Sequence, residues 1–497
     1  MRKIVFVALV LILLLCGCGA NSPETTETTR VSLYQAQIKG ENLVFEAWEQ
    51  EGLPSEGCYY LTQDVVLEQA VTVTGELNLH LNGHTVSGTE GVSYGSFFVV
   101  PAGAAMTLYD EAEAGGAVIS PRSYSGNPTV TSMVTVGGTF TMAGGILDAS
   151  AISLENVANG TAVYVQDGGV LDVCGGTING GFALCTTLEI PEVSVTDQGV
   201  DGEGAEVTLE PVEIIGKGGS IYVAPGGACN VSGGVIQNGN AGLGGNIFVD
   251  GNDRKEGVLN LTGGTVTSGE AMFHGGNIYS CGKVVLSGGE LLSGAACLNG
   301  GNVYSERGTV DVLDEAYVYG GTSSKYKSGG TGGNFFIGID SSMTVSGGMV
   351  TEGNAAGNPN NIHSNLRCEG KFLMDAGRIT GRVSFSPTSS AYFCGTMDIT
   401  SDVWELNVDP QAQVVFGKCA EGTTVTVFLH TALFDSATKW NKGAAPVLQL
   451  EEGVDIDINT FFGVKPYHEK GTDRTFIFRQ KGNQLYFKET TAPNTEG

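Results

Sequence analysis

A tripeptide followed by two apolar residues recurs through the middle of this chain. It reads Gly244-Gly245-Asn246-Ile247-Phe248, Gly275-Gly276-Asn277-Ile278-Tyr279, Gly300-Gly301-Asn302-Val303-Tyr304 and Gly332-Gly333-Asn334-Phe335-Phe336. Looser copies flank these, Gly218-Gly219-Ser220-Ile221-Tyr222 before and Asn360-Asn361-Ile362-His363 after. Ser220, Asn246, Asn277, Asn302, Asn334 and Asn361 are thus 26, 31, 25, 32 and 27 residues apart. Self-similarity at such a period is the signature of stacked repeats, each unit burying its apolar face against the next.

A second marker alternates with the first: Met142-Ala143-Gly144-Gly145, Val173-Cys174-Gly175-Gly176, Val231-Ser232-Gly233-Gly234, Leu261-Thr262-Gly263-Gly264, Leu286-Ser287-Gly288-Gly289 and Val345-Ser346-Gly347-Gly348. Apolar residues precede it at every second position, as in Phe140 and Met142, Leu171 and Val173, Leu259 and Leu261. Period two means strands with one buried face. A further short strand carrying Ile178, Ile236, Val266, Leu291 or Val350 follows the double glycine. Each unit therefore holds about three short strands, and no helical apolar period.

The recurring asparagine has a physical reason. If each unit is one coil, equivalent residues lie about 4.8 Å apart. A carboxamide offers two donors and an acceptor oxygen, so stacked amides bond one another along the axis. The glycines before it supply a positive φ or a close backbone approach at the corner. The expected fold is all-β: a right-handed parallel β-helix. Unit lengths of 25 to 32 residues reject a left-handed hexapeptide helix. Propeller blades need repeats of about 40 to 50 residues.

Glycine is 76 of 497 residues, about twice the usual share. The net charge is −28, and Lys and Arg form no cluster, so neither nucleic acid nor an anionic lipid surface is an expected partner.

At the N-terminus, Arg2 and Lys3 precede an apolar run from Ile4 to Leu15 that is too short to span a bilayer. The following Leu15-Cys16-Gly17-Cys18 resembles a bacterial lipoprotein signal. That resemblance implies cleavage after residue 17, lipidation of Cys18 and an extracytoplasmic, membrane-anchored location. An ordinary secretory signal is the alternative. Residues 18–30 read as a Thr- and Glu-rich tether, and 31–57 as an N-terminal cap with a short helix within Glu41–Gln50 ended by Gly52 and Pro54. The β-helix is expected over 58–401, interrupted by an acidic insertion at about 186–217, with a β-rich C-terminal cap over 402–490. That cap includes a hairpin around Gly482-Asn483. Nine cysteines besides Cys16 and Cys18, without paired spacing, read as small buried hydrophobes.

The stretch Leu77-Asn78-Leu79-His80-Leu81-Asn82-Gly83-His84, with the Gly-Gly-Asn and Ser-Gly-Gly markers through about residue 400, resembles large β-helix surface proteins of anaerobic gut bacteria. The resemblance implies an extended, adhesin-like protein. That family is defined by its repeats, so no site residue carries over.

Chemistry is sparse. Many β-helices cleave polysaccharides, so a lyase or glycoside hydrolase is the rival to a rigid adhesion module. Hydrolysis needs two carboxylates across a cleft. The pectin-hydrolase patterns Asn-Thr-Asp, Asp-Asp, Gly-His-Gly and Arg-Ile-Lys are absent. The nearest constellation is Asp250, Asp253, Arg254 and Glu256, with Lys283 and Arg307 at the equivalent turns of the next two units. It reads as solvated turns, and no catalytic residue is assigned. Gly91-Val92-Ser93-Tyr94-Gly95 matches a hydrolase elbow, but a strand-like run follows where a helix is required. The six histidines show no metal spacing, so no metal and no cofactor are expected. Tyr164, Tyr222, Phe248, Tyr279, Tyr304 and Phe336 occupy equivalent positions. Facing inward they are core. Facing outward, Tyr222, Phe248, Tyr279, Tyr304 and Phe336 form a platform for a glycan or a surface protein, and burial decides.

Overall fold

The computed structural model describes residues 33–490 except 39–40, 111–114, 125–130, 156–158, 185, 189–211, 324–329, 356–363, 399–404, 409–411, 430–447, 465–466 and 470–471. The signal, the tether and Cys18 lie outside the described residues, as does most of the insertion.

The described chain is almost wholly β and its strands pair in long parallel rows. The first row runs through Phe98–Val100, Val134–Val136, Val163–Val165, Ile221–Val223, Ile247–Val249 and Ile278–Ser280, each in register with the next. The second carries the alternating residues before the Ser-Gly-Gly marker: Leu171 faces Cys229, which faces Leu259, which faces Val284. The third carries Ile178, Ile236, Val266 and Leu291. A fourth, shorter row runs from Ser123–Tyr124 to Asn354–Ala355. Every alternate apolar residue named for these strands, from Phe140 and Met142 to Met343 and Val345, is at most 1 % exposed. Period two along each strand puts all of them on one side, where the rows share a core.

The two markers make the corners, and each pairs one glycine of positive φ with one packed against backbone. Gly244, Gly275, Gly300 and Gly332 adopt φ between 65° and 69°, and their second glycines touch backbone. A Cβ on Gly245 would meet the Gly276 carbonyl oxygen at 2.1 Å. In the Ser-Gly-Gly marker the order reverses: Gly264 has φ 72°, and Gly263 packs on the Ser232 carbonyl.

Beside the first row runs a ladder of fully buried side chains, Ser220, Asn246, Asn277, Asn302 and Asn334. Ser220 Oγ donates to Asn246 Oδ1 at 3.2 Å, Asn246 Nδ2 to Asn277 Oδ1 at 2.8 Å, Asn277 to Asn302 at 2.7 Å and Asn302 to Asn334 at 2.6 Å. Asn361 lies outside the described residues, and the next described rung is Asn365. Asn334 Nδ2 donates to Asn365, and Asn365 takes the Gly353 N–H. The marker weakens to Ser364-Asn365-Leu366 at this rung, and pairing of Phe335 with Leu366 sets the register. Upstream, the buried Thr161 hydroxyl donates to the Gly219 carbonyl and accepts the Gly181 N–H.

Two boundaries differ from the sequence reading. Glu41–Trp48 is a strand, not a helix: it pairs in parallel with Gly57–Leu61 and antiparallel with Leu33–Ile38. Phe45 is the reason. It is fully buried, with its ring edge-to-face against His80 at 5.6 Å and Tyr109 at 5.4 Å. Nor do the parallel rows stop at 401. Glu405–Val408, Val425–Leu429 and Phe462–Val464 extend the first, and Gln413–Cys419 and Leu448–Leu450 the second. Alternation alone suffices here, since Val414, Phe416, Val425, Val427, Leu448 and Leu450 are buried without any double-glycine corner. Antiparallel pairing begins with Tyr467–Glu469 on Thr472–Lys481, which then turns at Gly482-Asn483 onto Gln484–Thr490. Within the insertion, Thr186–Leu188 pairs antiparallel with Val212–Ile214, after which Tyr164 faces Tyr222 as though nothing intervened.

Candidate functional site

The first row presents its middle residues on the side away from the core. Val163, Val165, Ile221 and Val223 point in, so Tyr164 and Tyr222 point out. Register then aligns Tyr164, Tyr222, Phe248, Tyr279, Tyr304 and Phe336. Successive ring centroids lie 5.1, 5.6, 5.1, 5.0 and 5.0 Å apart, with interplanar angles of 6° to 17°. Each ring covers its neighbours' faces. Tyr222, Phe248, Tyr279 and Phe336 are only 1 % to 7 % exposed, and Tyr304 is half-buried. Tyr222, Phe248 and Tyr279 form with Ala224 and Cys281 a second apolar cluster, separate from the core, against which Tyr164, Leu243 and Tyr304 pack. The platform expectation is thereby corrected for Tyr222, Phe248, Tyr279 and Phe336, which stand outside the core yet are buried, while Tyr304 is half-buried.

Polar groups close its edges. On one side the Lys217 ammonium sits 4.7 Å from the Phe248 ring centre and His274 packs on Tyr304 at 4.4 Å. Burial pushes the His274 imidazole down to about 4, so it is neutral, and its Nδ1 accepts the Asn299 N–H at 3.3 Å. On the other side Asp250, Cys281 and Glu306 follow the strand ends Val249, Ser280 and Ser305, which are in register. Tyr222 donates its hydroxyl to Asp250. Glu306 accepts the Tyr279 hydroxyl at 2.8 Å and the Cys281 thiol at 3.1 Å. Burial, then the bond to a carboxylate, raises the Tyr222 and Tyr279 hydroxyls, and burial first pushes the Cys281 thiol up to about 12. For Glu306, burial acts upward but is outweighed. Hydrogen bonds from Cys281 and Tyr279, and the charges of Arg307 and Lys217, hold its carboxyl below the ordinary value. Glu306 is thus an ionised acceptor and Cys281 a protonated thiol, which is poor chemistry for a general acid or a nucleophile.

The six charged turn residues are only partly brought together. Arg307 Nη2 donates to the Gly251 carbonyl at 2.9 Å, next to Asp250. Asp253, Arg254 and Glu256 are exposed in a turn built by Asn252, whose Oδ1 accepts the Arg254 and Lys255 N–H groups at 2.9 and 3.0 Å. Lys283 begins a second-row strand opposite Val258. Sequence reasoning missed Lys255, which reaches Asp167 at 2.5 Å, and missed Glu306. The signal for Glu306 was available, because it occupies in its own marker copy the place of Asp250.

After Gly91-Val92-Ser93-Tyr94-Gly95 comes the strand Phe98–Val100. His80 Nδ1 accepts the Asn82 N–H at 2.9 Å, and His84 lies 3.3 Å from Asp64. His363 and His430 are outside the described residues. Among the described residues no three His, Cys, Asp or Glu side chains are placed to hold a metal ion. No protein-family model matches the chain, and none of the curated proteins matches it.

Proposed function

We propose that this chain is a right-handed parallel β-helix of the surface-lipoprotein type, anchored through a lipid on Cys18, and that it acts as a rigid interaction module that binds glycans at the cell surface. The observation that carries the reading is the parallel register of the first row from Ile221–Val223 to Val303–Ser305, braced by the amide ladder. Such a body holds its surfaces at fixed spacing over many rungs, which suits recognition of an extended polymer. A right-handed path is the expectation for parallel crossovers between twisted strands. The acidic surface disfavours anionic lipid and nucleic acid as partners.

The lyase or glycoside hydrolase reading has less support. The strongest carboxylates near the column, Asp250 and Glu306, are committed to Tyr222, Tyr279 and Cys281 rather than facing an open cleft. The purified full chain on a glycan array, followed by a reducing-end assay on each bound glycan, tests the proposal. Retention without new reducing ends is the expected result. New reducing ends that disappear in an Asp253→Ala/Arg254→Ala variant would replace the adhesion reading by an enzymatic one.

A further inference from the structure

The second row carries a concavity toward its C-terminal end, about 260 Å³ in volume and open to solvent. Two outward columns of side chains line it, set by the register of four successive strands. One column is Ser342, Lys371, Ser390 and Gln413. The other is Thr344, Leu373, Tyr392 and Val415. The first alternates short and long side chains, so Ser390 leaves a notch between Lys371 and Gln413. These two stand two rungs apart, about 9.6 Å at the strand spacing. The second column gives the notch an apolar wall, and the Tyr392 ring is fixed in it by a hydroxyl bond to Glu451 at 2.8 Å.

Two other polar columns among the described residues are bonded from rung to rung. Asn230 bonds Asp172 and Asn260 bonds Asn230, each at 2.9 Å, and the buried ladder is bonded from end to end. The side chains of Ser342, Lys371, Ser390 and Gln413 make no hydrogen bond or ion pair among the described residues. Lys371 is exposed and, among the described residues, is the one charged side chain lining the concavity, in a chain of net charge −28. A ring with an apolar face, hydroxyls on its rim and a negative charge satisfies all of these groups together. An aliphatic or aromatic ligand would leave the polar column unused, and a neutral sugar would leave Lys371 unused.

We propose that this notch is a subsite for a carboxylate-bearing sugar ring, so that the ligand is a uronic-acid glycan. Lys371 takes the carboxylate, Ser390 and Gln413 take ring hydroxyls, and Leu373 and Tyr392 take the apolar face. The proposal rests on the glycan-binding reading above and narrows it to one ligand class and one place.

The test uses the full chain and two probes, tetragalacturonate and its fully methyl-esterified form, which differ in charge and not in ring shape. Calorimetry should give about tenfold or greater preference for the acid, the size of one charge-assisted contact. Lys371→Gln, a change at an exposed position, should abolish that preference. Ser390→Leu, filling the notch, should remove binding of both. Equal binding of acid and ester by the wild type, or a preference that survives Lys371→Gln, overturns the subsite. In either case a glycan retained on the array leaves the broader reading standing, whereas an array without any bound glycan removes both.

Discussion

At Asn277 the amide has no unused capacity. Its Nδ2 donates to Asn302 Oδ1 and to the Leu292 carbonyl, both at 2.7 Å, and its Oδ1 accepts from Asn246 Nδ2 at 2.8 Å and the Gly269 N–H at 2.9 Å. An isosteric Asn277→Leu therefore removes four hydrogen bonds from a fully buried site and leaves the Gly269 N–H and one Asn246 Nδ2 proton unpaired. We expect a loss of about 3 to 5 kcal/mol, with amide exchange accelerated at Gly269 and Asn246 before the rest of the chain, read by hydrogen exchange. Leucine that left exchange there unchanged would show that the ladder is an ornament of the packing. A second residue-scale expectation concerns acid. His274 is lowered from 6.5 to about 4 by burial, so the unfolded chain binds the extra proton between those values. Its contribution to stability is present above pH 6.5 and is lost as pH falls toward 4. Glu306, also lowered, acts in the same direction but only below its ordinary 4.5. The unfolding midpoint of the wild type should thus drop between pH 6.5 and 4.5, and His274→Gln should flatten that portion alone.

Within an element, corners are more demanding than strands. The glycine that follows each third-row strand abuts the ladder: a Cβ on Gly269 would meet the Gly276 carbonyl at 2.3 Å and the Asn246 and Asn277 amides at 2.8 Å. Gly422, with φ 84°, has nothing within 4 Å of its would-be Cβ. Gly422→Ala should cost about 1 kcal/mol, from the left-handed backbone alone, while Gly269→Ala should cost about 3 kcal/mol or more because backbone must move. Comparable denaturation midpoints for the two variants would contradict this ranking. The same contrast explains what was legible in the sequence. Corners with double glycines could be read unit by unit. The strands from Glu405 to Leu450 have no such corners, and only their alternation, weak over three to seven residues, announced them. Glu41–Trp48 was misread because Glu, Leu and Ala favour a helix locally; pairing with Gly57–Leu61 and burial of Phe45 override that preference.

At the scale of the whole molecule, one row of strands supports two environments. Val163, Ile221, Ile247 and Ile278 fill the shared core, while the aromatic column on the other side seals itself by ring stacking. No described helix is long and apolar enough to cross a membrane. In the proposed surface role, attachment rests on Cys18. Cys18→Ala should move the protein from the detergent phase to the aqueous phase in a partition assay, or leave it unprocessed. Unchanged detergent partitioning of a processed chain would locate the anchor elsewhere.

The sequence by itself determined the period, the strand faces and the rungs Ser220, Asn246, Asn277, Asn302 and Asn334. Glycine corners and alternating apolar residues are local signals, and stacking copies them from unit to unit. Only the tertiary structure decided that Asn365 follows Asn334 in the described ladder, because register comes from Phe335 facing Leu366. It alone decided that the aromatic column is covered, since ring faces are hidden by rings 25 to 58 residues away in sequence. And it alone set Ser390 between Lys371 and Gln413 in one outward column, a juxtaposition that depends on which strand pairs with which and is invisible in any single repeat.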